Sequence, residues 1–311
     1  MKTILGYGTW GLSNQSYGKL KEDPLYLLKY AIKNNINFFD TAPLYGNGNV
    51  EKLIGSLDKK TRDKIKISTK CGMLPHIGFN MKQDFSEKKI IHDLYLSLKR
   101  MNRDYIDYWL LHSPNLEKIN VEYIFKVMNE VKKLKIVKNY GISVRNPFDF
   151  FKIKHLKFDC IEFNFNLLDQ RALSTNLIDK CKKQNITTIC RTPLVFGFLS
   201  HKNISKKKFS KLDHRKHYPK KQLKIWENSK NLFMQESFYK KFENFTQFAL
   251  NFCFSNSFDY VIPGMLTKKE IDQNIKVSRM QKINGKNIRK IHRIYLKNEV
   301  HFWKTKKPKK V

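Results

Sequence analysis

Long apolar runs are missing from this sequence. None approaches the ~20 residues a membrane-spanning helix needs, and the opening Met1-Lys2-Thr3-Ile4-Leu5-Gly6 lacks the long apolar core of a secretory signal. A cytoplasmic chain with no membrane partner is the expectation. Cysteine is also scarce. The five present (Cys71, Cys160, Cys181, Cys190 and Cys253) are odd in number and include no C-x-x-C pair. That argues against a disulfide framework or a zinc site, so reduced thiols and no bound metal are expected. Acidic residues are few, with 27 Asp+Glu against 61 Lys+Arg and a formal charge of +34. Such an excess raises nucleic-acid binding, but the lysines are spread between apolar positions along the whole chain. Their compact runs are Lys206-Lys207-Lys208 and the tail "KTKKPKKV". No recognition-helix, zinc-finger or ribonucleoprotein pattern accompanies them, so no specific nucleic-acid partner is expected. A solvated basic surface would attract anionic ligands and hold polyanions weakly at low salt.

What the chain does have is core material and a rhythm. Hydrophobic residues make up 41% and aromatics 13% of the 311 residues, enough for a sizeable interior. Strands are predicted at Thr3–Leu5, Asn37–Asp40, Lys66–Lys70, Tyr105–His112, Tyr140–Val144, Cys160–Phe165, Thr187–Pro193 and Asp259–Pro263. Helical stripes lie between them, as at Leu25, Leu28 and Ala31-Ile32, at Ile90-Ile91, Leu94 and Leu98, and at Ile124, Val127, Val131 and Leu134. Alternation of this kind predicts an α/β fold with a parallel sheet, and about eight rounds predict closure into a (β/α)8 TIM barrel. No repeat or linker divides the chain, so residues 1–311 are expected to form a single barrel domain. Residues 200–238 form a Lys-rich, aromatic-dotted excursion before the last units, a candidate lid or extra helix. A final helix over about 285–299 and a basic tail at 300–311 complete the reading.

Gly6, Gly8 and Gly11 spell G-x-G-x-x-G after an apolar run, the outline of a dinucleotide-binding turn. That motif needs a helix opening on its last glycine. Here Leu12-Ser13-Asn14-Gln15-Ser16-Tyr17-Gly18 is turn chemistry, and the first helix start is the capping pair Asp23-Pro24. A Rossmann fold is therefore not expected. Likewise Gly46-Asn47-Gly48-Asn49 reads as a turn and helix cap, and His92 as a surface residue of a helix.

In a barrel, chemistry gathers at the carboxyl ends of the strands. Three predicted strands end in titratable groups, Asp40, Lys70 and His112, and Tyr45 lies just past the first. A free phenol titrates near ~10, too high for ready proton exchange at neutral pH. An adjacent ammonium favours its ionised form. Lys70 is the cation for Tyr45, Asp40 pairs with Lys70, and His112 can hydrogen-bond an oxygen held between itself and Tyr45. Such a set suits proton transfer at a carbonyl or alcohol oxygen.

The stretches "NFFDTAPLYGNG", "ISTKCG" and "LLHSP", in that order and spacing, resemble the aldo-keto reductase superfamily, and "GISV", "FNLLDQR", "TPLVFG" and "VIPG" extend the resemblance from Gly6 to Asn274. "GISV" with "NLLDQR" is most similar to a bacterial branch. The resemblance implies a (β/α)8 barrel that binds NAD(P)H without a Rossmann domain and reduces an aldehyde, ketone or sugar carbonyl to the alcohol. It implies Tyr45 as proton donor, Lys70 as the residue lowering its pKa, Asp40 as that lysine's partner and His112 as the substrate-orienting donor. Gly8-Thr9-Trp10 would be active-site wall, its glycines letting the backbone approach the cofactor. Further cofactor positions would be Ser143, Glu162, Arg191, Thr192, Pro193, Leu194, Gly197, Ile262, Pro263, Gly264, Leu266, Glu270, Gln273 and Asn274. Trp10, His112, Arg145 and Phe196 would face the substrate.

This chain departs from the family pattern at several of these positions. Val144 stands where relatives carry the asparagine of a serine-asparagine pair, Glu162 replaces a glutamine, and Arg191 replaces a tyrosine that stacks on nicotinamide. A guanidinium can also lie flat on a ring. Leu266 falls where NADPH-preferring relatives carry an arginine, with Glu270 in the same loop, and a carboxylate suits a free ribose hydroxyl. Lys268 and Lys269 could compensate, and family habit makes NADPH, over NADH, the expected cofactor. Arg145, Arg191 and the positive field suggest an acidic or phosphorylated carbonyl substrate. The altered residues also leave room for a cofactor-binding, non-catalytic barrel acting as a regulatory or assembly subunit. The sequence sets no oligomeric state.

Overall fold

The computed structural model describes residues 2–13, 16–75, 82–200, 209–211 and 213–298. The Lys206-Lys207-Lys208 run and the basic tail lie outside them. Nine strands run β1 (Ile4–Leu5), β2 (Tyr7–Gly8), β3 (Phe38–Asp40), β4 (Lys66–Cys71), β5 (Ile106–His112), β6 (Val137–Val144), β7 (Cys160–Asn164), β8 (Thr187–Arg191) and β9 (Tyr260–Val261). They pair in the order β1-β9-β8-β7-β6-β5-β4-β3-β2, every neighbour parallel.

The eight predicted strands are all present, and the extra one explains how the ring closes. β1 and β2 are two pieces of one segment: Leu5 pairs with Val261 on one side, Tyr7 with Phe39 on the other. The Gly6 amide donates to the Val261 carbonyl (2.9 Å) and the Gly8 amide to that of Pro263 (3.0 Å), so the seam is stitched on both sides of the joint. With helices between the strands, this is the (β/α)8 barrel.

Side chains along a strand alternate between faces, and this sorts the interior by height. Phe38, Tyr108, Leu110, Cys160, Ile189, Tyr260 and Ile262 form a separate buried cluster, with Phe38 stacked on Tyr260 at 3.8 Å. Two residues further along the same strands and faces come Asp40, His112, Glu162 and Arg191. An apolar plug thus floors the barrel and polar groups occupy its carboxyl-terminal end. The larger core lies between sheet and helices.

Helix starts follow their capping signals. Asp23 accepts the Tyr26 amide at 2.7 Å to open Pro24–Lys33, and Asn284 accepts that of Asn287 at 2.9 Å to open Gly285–Lys297. Gly48 caps Asn49–Gly55, and His92 is exposed on Glu87–Met101, as expected. One stripe was drawn too long. Leu134, placed with Ile124, Val127 and Val131, is 66% exposed because helix Val121–Lys133 ends at it and Lys135 turns left-handed (φ 62). Within the excursion the structure has a short 3-10 turn, His214–His217, and a helix, Lys220–Met234. Trp226 of that helix is fully buried against Phe198 (4.9 Å between rings) and Tyr218 (5.5 Å). The final helix packs outside the barrel, where Lys290 pairs with Glu236 just beyond the excursion helix. No helix among the described residues is long and apolar enough to cross a membrane. Every cysteine is a buried free thiol.

Candidate active site

Asp40 is the last residue of β3, Lys70 the penultimate residue of β4 and His112 the last of β5. Tyr45 follows β3 in a loop whose next three residues, Gly46, Asn47 and Gly48, all have left-handed backbone (φ 63, 51 and 89). Only such a run, with two glycines and an asparagine, folds the chain back this tightly. It returns the phenol over the barrel mouth.

The four groups meet there. Lys70 is fully buried, and its ammonium donates to Asp40 Oδ1 at 2.5 Å and to the Thr41 carbonyl at 3.0 Å. Its Nζ lies 5.4 Å from the centre of the Tyr45 ring. That ring meets His112 edge-on at 6.2 Å and Trp10 at 6.5 Å. A second carboxylate also faces the lysine: Glu162 Oε2 is 3.4 Å from Nζ.

The electrostatics follow from burial and these neighbours. Burial alone pulls the Lys70 ammonium down, but Asp40 and Glu162 outweigh it and hold the lysine above its ordinary range. Burial and the neighbouring Glu162 push the Asp40 carboxyl up to about 7, against the pull of Lys70. Glu162, despite burial, is kept below the usual carboxylate range by Lys70, Arg191 and the Ser143 hydroxyl. His112 is driven well below ordinary histidine by burial first and then by Lys70, Arg191 and Arg145, so its imidazole is neutral. Tyr45 departs from the sequence expectation. Lys70 does pull its phenol down, but burial is larger and Asp40 and Glu162 add to it, leaving the group up at about 12.

Ser143, Glu162 and Arg191, expected at the cofactor, bond one another at the same rim. Ser143 and Glu162 hold each other, Oγ donating to Oε1 at 2.8 Å, and Arg191 Nη1 donates to Ser143 Oγ at 2.7 Å while lying 3.5 Å from Glu162 Oε1. The polar edge of Arg191 is thus committed inward. Thr9 Oγ1 donates to the Asp40 carbonyl at 2.8 Å, which ties the first segment to β3. The early glycines are closely packed. A Cβ at Gly6 would strike Phe38 and Ile262, one at Gly8 the Ile262 carbonyl at 2.8 Å, and one at Gly11 the Leu266 side chain at 2.3 Å. Their small size serves close packing at the barrel seam.

The excursion supplies a wall that sequence reading missed. Trp10 contacts His214 at 4.6 Å, Phe196 at 5.9 Å and Tyr17 at 5.7 Å, while Tyr218 packs on Phe196 at 5.8 Å. His214 and Tyr218 lie in "DHRKHYPK", where the basic residues around them mask the signal. An antiparallel bridge between Tyr17 and Asp213 anchors this wall to the first loop.

A family model described as "Aldo/keto reductase family" matches residues 4–296. The chain belongs to the aldo/keto reductase family. Probable aldo-keto reductase 1 of Glycine max is 29% identical over 297 residues, covering 92% of this chain and 84% of that protein. Among solved structures, an aldo-keto reductase of Bacillus halodurans in its holo form superposes with a TM-score of 0.74 at 21% identity, covering 94% of this chain and 92% of the other. A glycerol dehydrogenase of Gluconobacter oxydans does so with 0.78 at 19% identity, covering 99% and 94%. Both support the fold. As an aldo/keto reductase the protein is an NAD(P)H-dependent oxidoreductase, and the reading as a non-catalytic subunit gains no support.

The rim of this aldo/keto reductase fits a dinucleotide where its backbone is open. A Cβ at Gly264, just after β9, would meet nothing nearer than Gly8 O at 3.7 Å. After β8, Thr192, Val195 and Phe196 all hold left-handed backbone (φ 53, 48 and 55), a costly geometry for a β-branched valine and one that clusters at ligand sites. Beyond Gly264, Thr267 caps helix Lys268–Arg279. Leu266, Glu270, Gln273 and Asn274 lie on this loop and helix.

Proposed function

We propose that the protein reduces a small aldehyde, ketone or sugar carbonyl, with Tyr45 as proton donor, Lys70 and Asp40 as its electrostatic support and His112 as the orienting hydrogen-bond donor. The observation that carries this reading is the buried Asp40–Lys70 pair, 2.5 Å apart, beneath the ring of Tyr45 at the carboxyl-terminal mouth. NAD(P)H, when bound, supplies the hydride; the backbone at Gly264, the loop Thr192–Gly197 and the start of helix Lys268–Arg279 would hold it. Tyr45 stays protonated throughout the neutral range, yet at about 12 remains a stronger acid than an alkoxide's parent alcohol, which resembles water at ~15.7. It therefore gives its proton readily to the oxygen that gains charge. Neutral His112 can donate a hydrogen bond to that same oxygen without competing for the proton. Trp10, Phe196, His214 and Tyr218 shape an aromatic pocket for the rest of the substrate. An acidic or phosphorylated substrate would meet the positive charge of Arg145 and Arg191, both close enough to act on His112. A screen of carbonyl compounds that follows oxidation of NADH and NADPH in parallel tests the reading; no turnover of any of them would sink it.

For the cofactor, the local carboxylates favour NADH and reverse the expectation from family habit. Glu270 Oε2 accepts the Leu266 amide at 2.7 Å and Glu22 Oε2 the Lys268 amide at 3.0 Å, so two carboxylates already hold the loop that the family resemblance gives to the ribose. Lys268, which could have compensated, turns its ammonium over the Tyr30 ring at 5.0 Å. Repulsion and the loss of those hydrogen bonds should give NADH a kcat/KM at least about tenfold above NADPH, the equivalent of ~1.4 kcal/mol. Glu270→Gln should narrow the ratio. Equal use of both cofactors by the unaltered enzyme would refute the preference.

A further inference from the structure

Four charges of alternating sign run through the barrel mouth: Asp40, Lys70, Glu162 and Arg191. The row is compensated, and its inner members are fully buried. An ammonium has three donors. In Lys70 one meets Asp40, one the Thr41 carbonyl, and Glu162 Oε2 is the remaining acceptor within reach at 3.4 Å. That oxygen has no hydrogen-bond partner of its own among the described residues, whereas Oε1 is held by Ser143. Lys70 therefore acts on Tyr45 through its charge, and any second anion beside the lysine weakens that action. The resemblance assigned Glu162 to the nicotinamide carboxamide, but its oxygens are directed at Ser143 and Lys70.

Resting on the reductase reading, we propose that Glu162 is a positioning residue, a second counter-ion that tunes how strongly Lys70 acidifies Tyr45, and that Arg191, bridged by Ser143, is the cation that makes this extra buried carboxylate tolerable. The titratable groups around Glu162 are Asp40, Tyr45 and Lys70 across the barrel, Arg191 and Cys190 on β8, and Cys160 on its own strand. Burial keeps both thiols protonated. Two carboxylates on one ammonium cannot both ionise freely. The wild type therefore takes up one proton into the Asp40–Glu162 pair near neutrality.

Glu162→Gln, Arg191→Gln and the double variant test this in the full-length protein. The pH dependence of kcat is one readout, and that of the unfolding midpoint without substrate is the other. A carboxyl raised by burial stabilises the fold below its titration and loses that contribution as pH rises through it. The wild type should thus lose midpoint relative to Glu162→Gln as pH rises from about 4, where the unfolded carboxyl titrates, to about 7, and level off above it. Glu162→Gln should move the step in both profiles down by about two pH units, and Arg191→Gln should move it up by about one. In the double variant the Arg191 substitution should move the carboxyl step in the unfolding profile no further, because the carboxylate it compensates is gone; its direct pull on Tyr45 and His112 remains to show in kcat. A step that stays put in Glu162→Gln overturns the proposal, as does a uniform drop in midpoint at every pH, or a change confined to the KM for cofactor. If the wild type turns over no carbonyl compound, the reductase reading fails while the unfolding profile still decides the Glu162–Lys70 pairing.

Discussion

Tyr45→Phe should lower kcat for carbonyl reduction by about 10³-fold, within the ~10²–10⁴ that a positioned general acid contributes. The substitution removes one oxygen and keeps the ring, so the contacts to His112, Trp10 and the Lys70 ammonium persist. Among the described residues no hydrogen bond from the phenol oxygen holds a rim loop, and the KM for cofactor should stay within about twofold of wild type. A loss of kcat with KM unchanged is the signature of an interaction made only in the transition state. Steady-state kinetics on whichever carbonyl compound the screen identifies would measure both. Activity within about tenfold of wild type would remove Tyr45 from its assigned role.

Lys70→Met has a different and broader consequence. Methionine fills much of the same volume but leaves Asp40 and Glu162 facing each other without the cation between them. Removing one partner of a buried ion pair costs about 3–5 kcal/mol. Catalysis should fall as well, because Tyr45 then loses the cation that opposes burial and the two carboxylates. The sign of the pH effect follows from the two carboxyls. Without Lys70, Asp40, already raised, titrates higher still and Glu162 loses the first cation that holds it down, so the stability they cost grows as pH rises above the unfolded carboxylate range. Denaturant unfolding should therefore show Lys70→Met far weaker than wild type at pH 8 and partly recovered at pH 5. Equal losses at both pH values would mean that Lys70 is not the counter-ion of the pair.

Much of this architecture is legible along the chain because its causes are local. Asp23-Pro24 announces a helix start since a carboxylate can take the Tyr26 amide and proline needs no donor there. The strand runs stand out as β-rich segments bounded by turn chemistry. Where the reading failed, a non-local cause had intervened. The first strand was drawn as Thr3–Leu5 alone because nothing in the sequence shows that Tyr7-Gly8 pairs with β3 while Ile4-Leu5 pairs with β9. Nothing along the chain shows that Gly8 and Gly11 are packed against the Ile262 carbonyl and the Leu266 side chain. The excursion stayed unplaced because its lysines hid His214, Tyr218 and Trp226, whose burial depends on Trp10, Phe196 and Phe198 from distant segments.

For the site itself the division is sharper. The sequence by itself determined which residues point into the barrel and at what height, because strand alternation has a period of two and is indifferent to what lies opposite. That is why Asp40, Lys70 and His112, with Tyr45 one short loop away, could be named together. Only the tertiary structure decided that Glu162 would share the lysine with Asp40. β4 and β7 are not neighbours in the sheet, so their inward side chains meet only when the sheet curls into a closed ring. Curvature is a property of the whole ring, and no stretch of residues encodes it alone.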